Sequence, residues 1–180
     1  MAEIKSTLEL AMERTRKIAI SKEEREEIKQ KEILQKINGL FHGYMEAHLH
    51  LNDVLREIEK MDEKSRSKAK EILLSQWIGA LSLTDNGGRL FRGIESLKEQ
   101  RIEEAKQRFD DLHSKYQKER EKIKQKEGAQ LEELLRREGI YGSAVEPNIE
   151  GSEHLKKEFE KLNYLYEGKL KEIKEQLKTL

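Results

Sequence analysis

Apolar residues along this chain recur at alternating steps of four and three, and that spacing admits few folds. From Leu34 the pattern runs through Ile37, Phe41, Tyr44, His48, Leu51, Leu55 and Ile58. It returns at Ala105, Phe109, Leu112, Tyr116 and Ile123, and again at Leu155, Phe159, Leu162, Tyr166, Leu170, Ile173 and Leu177. On an α-helix these steps hold the side chains in one narrow stripe. A helix of this kind draws most of its stability from packing that stripe on another helix. The spacing therefore predicts an all-α protein, an elongated antiparallel helical bundle with a coiled-coil-like hairpin.

Composition agrees with an extended surface. Charged residues are 40% of the 180, and hydrophobic residues 35%. The first figure is well above the roughly 25% of an ordinary globular domain. Disorder would come with a large net charge and no stripes, whereas here 36 Lys and Arg balance 36 Asp and Glu. A net charge of zero supplies no general attraction to nucleic acid or to anionic membrane. The absence of cysteine excludes a disulfide framework, a thiolate nucleophile and a cysteine metal site. The most apolar stretch, residues 72–83, is shorter than the roughly 20 residues that span a bilayer. The first ten residues lack the basic start and apolar centre of a signal peptide. A cytoplasmic protein without a membrane partner is the expectation.

The pattern divides one all-helical domain, residues 1–180, into three parts. Residues 1–20 form a short N-terminal helix opened by a Ser6–Glu9 capping box. Residues 22–97 form the main bundle core, and residues 98–180 a projecting helical hairpin. Ser21 and Glu24 repeat the capping signature, in which the serine oxygen takes a free N–H of the first turn. A helix over 22–61, a turn capped by Ser65 or Ser67, and a helix over 67–83 follow. Trp77, the single tryptophan, belongs at the densest part of a core with Phe41, Leu81, Phe91 and Ile94. Thr84-Asp85-Asn86-Gly87-Gly88 is the clearest turn, because Asn and Gly tolerate positive φ. One long helix is expected over 89–138, with Gly128 its weak point.

Residues 139–151 depart from the rest, since this segment holds the only proline and carries Ile140, Tyr141, Val145, Pro147 and Ile149 where loops are usually polar. Ser152 caps the last helix. The opening Met-Ala-Glu-Ile-Lys-Ser-Thr and the Gly-Ser-Ala-Val-Glu-Pro-Asn loop resemble short uncharacterised helical proteins of bacteria. The resemblance covers little of the chain and implies a bacterial, cytoplasmic origin with no function attached.

Few residue groups carry chemistry. His42, Glu46 and His50 step by four, so a continuous helix would align them for a metal such as zinc, iron or manganese. They lack the Glu-x-x-His spacing of di-iron bundles and the His-Glu-x-x-His of zinc proteases, and a solvated polar face is the plainer reading. His48 falls in the stripe itself, where a polar residue sets register or partner choice. Gly39, Gly43 and Ala47 form a small-residue row suited to a close helix crossing, a kink, or a seat for a bulky neighbour such as Trp77. Gly88 and Gly93 have the gap of a P-loop but are followed by Ile94-Glu95 rather than Lys-Ser/Thr, so a turn between helices explains them better. Lys115, Lys118, Arg120, Lys122, Lys124 and Lys126 make a basic stretch over 115–126, whose alternative reading is a nucleic-acid-associated protein; Glu119, Glu121 and Glu127 dilute it, and only Tyr116 could stack on a base. No catalytic constellation and no cofactor motif is present. The expectation is a non-enzymatic protein–protein interaction module, an adaptor, scaffold or chaperone-like subunit. It would bind a protein partner through its helical surfaces and through Ile140, Tyr141, Val145, Pro147 and Ile149, and self-association is a further outcome of an exposed stripe.

Overall fold

The computed structural model describes residues 21–85, 87–98, 102–140, 142 and 147–180. The helix expected over residues 1–20, Asn86 of the expected turn, and Tyr141 and Val145 of the loop lie outside them. The described residues form an all-α structure of six helices: α1 Lys22–Met45, α2 Leu51–Glu59, α3 Glu63–Ala80, α4 Gly88–Lys98, α5 Glu103–Arg137 and α6 Glu153–Thr179. One turn of 3-10 helix, Ile149–Gly151, precedes α6. No strand occurs among the described residues, and no described helix is long and apolar enough to cross a membrane. The chain divides into two compact units, residues 1–73 and 74–180, so that α3 contributes to both.

In the first unit, α1 begins at the predicted capping box. Glu24 N–H donates to Ser21 Oγ at 3.0 Å, and Ser21 N–H to the Glu24 carboxylate at 2.8 Å. The expected single helix over 22–61 is broken. Met45 ends α1, and Ala47 takes a left-handed φ of 63°, a conformation in which the alanine Cβ crowds the following carbonyl. Leu49 N–H then reaches back to Gly43 O at 2.9 Å. A Cβ on Gly43 would stand 2.8 Å from Leu49 Cδ1, so this glycine makes room for the returning chain. The interruption also shifts the buried stripe, which comprises Ile37, Leu40 and Tyr44 on α1 but Val54 and Ile58 on α2. Phe41, Leu51 and Leu55 are half-buried, and Leu34 is exposed.

The start of α3 is set by Asp62 rather than by Ser65 or Ser67. Its carboxylate accepts Ser65 N–H at 3.1 Å and the buried Ser65 hydroxyl at 2.8 Å, and Lys29 lies 3.2 Å away. These interactions, the Ser65 hydroxyl foremost, hold the Asp62 carboxyl down at about 2.

In the second unit Trp77, Ile78, Leu81, Phe91, Ile94 and Phe109 are buried. Gly93 faces Trp77 so closely that a Cβ there would lie 2.8 Å from two atoms of the indole. Gly87 has φ 65°, as the turn requires. The helix expected over 89–138 is instead two, α4 and α5, with the buried Ile102 opening the second. Through Gly128, by contrast, α5 runs unbroken.

Helices α5 and α6 lie side by side and run in opposite directions. Arg108 meets Gln176, Tyr116 donates to Asn163 Oδ1 at 2.7 Å, and Glu127 meets Ser152. Of the predicted stripes, Ala105, Phe109, Leu112 and Tyr116 on α5 and Leu155, Leu162, Tyr166, Leu170, Ile173 and Leu177 on α6 are buried, while Ile123 is half-buried. The rings of Tyr116 and Tyr166 meet edge-on at 5.6 Å, and Arg120 lies over the half-buried Phe159 ring at 4.9 Å. Lys174 of α6 donates to Gly79 O at 2.7 Å, meeting a carbonyl in the last turn of α3 that has no partner within its own helix.

Candidate interaction surface

The end of the α5–α6 pair holds the loop singled out in the sequence, and its geometry begins with how α5 stops. Gly139 N–H donates to Arg136 O at 3.1 Å, and Ile140 N–H to Leu135 O at 2.9 Å. This is the Schellman arrangement, and it requires a left-handed residue just past the cap. Gly139 supplies it with φ 76°. The reversal leaves Ile140 49% exposed, and Leu134 in the last turn 54% exposed. Beside them is a shallow cleft of about 270 Å³ lined by Gln130, Glu133, Leu134 and Arg137.

The other side of the loop is tied down. Asn148 Oδ1 accepts Gly151 N–H at 3.3 Å and closes the 3-10 turn. Pro147 and Ile149 are half-buried. Ile149 Cγ2 lies 4.0 Å from where a Cβ on Gly128 would stand, so the turn rests on α5 at the glycine. Ser152 caps α6 as predicted, its Oγ accepting Leu155 N–H at 3.2 Å.

One buried polar contact of the second unit was not foreseen. Glu127, on the apolar side of α5, is only 5% exposed. One carboxylate oxygen accepts the Ser152 hydroxyl, and the other lies 2.7 Å from His154 Nδ1. The Ser152 hydroxyl donates to α5 while its lone pair caps α6, so one side chain serves both helices. The Ser152 hydroxyl first, then His154, holds the Glu127 carboxyl below its ordinary range. The signal for this was present: Glu127 continues the four-and-three steps from Tyr116 through Ile123, and a carboxylate in an apolar stripe needs partners.

The remaining candidates fall apart as sites. His42 lies in the last turn of α1, Glu46 is its C-cap, and His50 precedes α2, so the three do not share one helix. His50 N–H donates to Asp53 Oδ2 at 3.2 Å, and His42 packs edge-on against Phe41. Among the described residues no group of three His, Cys, Asp or Glu could hold a metal ion. His48 is not in a buried stripe: its side chain is 75% exposed and 3.3 Å from Glu46. The row Gly39, Gly43, Ala47 ends in the left-handed alanine and does not run along one helix. Within the basic stretch Tyr116 is buried and bonded to Asn163, which removes the one ring that could have stacked on a base. No protein-family model, curated protein or solved structure matches the chain.

Proposed function

We propose that this is a non-enzymatic protein–protein interaction module of the adaptor, scaffold or chaperone-like kind. In this reading α5 and α6 form a coiled-coil-like antiparallel hairpin, and a protein partner docks at its looped end. The observation that carries the reading is Leu134 and Ile140, two large apolar side chains left about half exposed at the end of a helix pair whose other loop strand is anchored by Glu127 and Ser152. Rigid support beneath exposed apolar residues lowers the ordering cost of binding. Tyr141, Val145, Pro147 and Ile149 belong to the same surface in this reading. The cysteine-free, charge-balanced composition goes with action in the cytoplasm, and self-association is one form the partnership could take.

Capture of tagged protein from its native host, with bound proteins and nucleic acids both identified, tests the proposal. A near-stoichiometric protein that is lost when Ile140, Tyr141 and Val145 are replaced by serine supports it. Recovery of the chain alone, at a sedimentation mass of one chain, counts against it. Retention of the partner by the triple variant removes the loop from the interface.

A further inference from the structure

A cleft of about 450 Å³ lies in the second unit, between the segment that follows α3 and helices α5 and α6. It is lined by apolar groups (Leu81, Leu83, Leu170 and the Tyr116 ring) together with Ser82, Thr84, Asn163, Glu167, Lys171 and Lys174. Its size falls in the range of about 300–1,000 Å³ usual for small-molecule sites.

The charged residues of its lining are unbalanced. Two lysines and one carboxylate line it; among the described residues neither Lys171 nor Lys174 forms an ion pair within 4.0 Å, though Lys171 acts on Glu175 at longer range. Lys174 spends one N–H on Gly79 O and keeps two. Burial, and then the neighbouring Lys178, press its ammonium below its ordinary range, so an anion alongside would relieve a real cost. The Tyr116 hydroxyl occupies Asn163 Oδ1, which leaves the amide N–H groups of Asn163 for another acceptor. Ser82 and Thr84, joined to each other at 2.8 Å, add hydroxyls at the edge.

We propose that this cleft binds a small amphipathic organic monoanion, with its apolar body against Leu81, Leu83 and Leu170 and its carboxylate between Lys171 and Lys174. Within the lining, two cations and one anion leave a single positive charge, and Glu175 also acts on Lys171 from outside it, so a monocarboxylate is favoured over a dianionic phosphate. The site is separate from the looped end of the helix pair and does not depend on the interaction reading.

Octanoate titrated calorimetrically into the full chain at pH 7 is the test, with octanol as the neutral control. Saturable one-to-one uptake of octanoate, weakened by salt and not matched by octanol, is expected. Lys171→Met, which removes a side chain without an ion pair, should weaken octanoate about fivefold, and Glu167→Gln should tighten it by a similar factor. Neither change touches the Lys174–Gly79 bond, so both variants should fold, and a circular-dichroism melt checks that they do. No saturable uptake, equal binding of octanol, or octanoate affinity unmoved by both substitutions would overturn the proposal.

Discussion

Two small residues show how much local structure hangs on single atoms. Gly93 lies against the face of the Trp77 indole, where a methyl group would sit 2.8 Å from ring carbons. Neither a buried ring nor a helix backbone yields that distance cheaply. Gly93→Ala should therefore destabilise the protein by about 1–3 kcal/mol, the usual cost of overpacking. Urea denaturation followed by Trp77 emission checks it, since this is the only tryptophan. Ala47 does the opposite, holding a backbone shape that suits glycine better than alanine. Sequence reasoning placed Trp77 in the core but offered the Gly39 and Gly43 row, as one of three alternatives, for the seat that Gly93 supplies. Spacing along one helix cannot say which distant glycine faces a given ring. The break at Ala47 was equally hidden, because alanine is a strong helix former and gives no stop signal. Everything inferred from an unbroken helix there, the His42–Glu46–His50 stripe and the place of His48 in it, depended on that residue.

Among the helices, legibility followed the caps and the stripes. Ser21–Glu24 and Ser152 mark their helices in the sequence and in the structure alike. The α6 stripe from Leu155 to Leu177 is buried as its spacing requires, apart from the half-buried Phe159. The start of α3 was misread because Asp62 and Ser65 are both good caps; Ser65 is buried and donates to Asp62 instead. The split between α4 and α5 had no glycine or proline to announce it. The Glu127 contact belongs to this scale as well, since it joins two helices. Replacing Glu127 with Ala removes the acceptor of the Ser152 hydroxyl and the partner of His154, while Gln keeps the shape and an acceptor. Hydrogen exchange should quicken at Leu155 and Lys156 in Glu127→Ala, and less so in Glu127→Gln, with the α1–α2 amides unchanged. Equal exchange at Leu155 in all three proteins would show that the cap holds without help from α5.

For the molecule as a whole, the pH dependence of stability follows from its charged groups. Asp62 and Glu127 have carboxyls held below their ordinary values, as do Glu26, Glu57, Glu153, Glu158 and Glu175 beside lysines. A carboxyl depressed on folding adds stability that is complete above its unfolded value and disappears as pH falls through its folded one. For Asp62 that window runs from 3.8 down to about 2, and for the glutamates it begins at 4.5. On the alkaline side burial, then Glu119, pushes the Tyr166 hydroxyl up from 10.0 to about 12. The unfolded chain ionises there first, so stability falls as pH rises through that interval. Helicity and Trp77 emission in fixed urea should therefore be flat between about pH 5 and 9 and fall on both sides. Continued stabilisation from pH 5 down to 3 would contradict the assignment of these carboxylates. The even charge of the chain was readable from composition; which carboxylates are strained or relieved was not, because that depends on partners up to 38 residues away, as for Lys64 and Glu26.

The α5–α6 contacts also behave as a ruler. Eleven positions separate Tyr116 from Glu127, and eleven separate Ser152 from Asn163, so both cross-links close at once. Seven residues inserted into one arm between them would break this match, whereas seven inserted into both would preserve it. The pair can change length only in matched steps, and a relative that is longer in one arm should be longer in the other by the same amount.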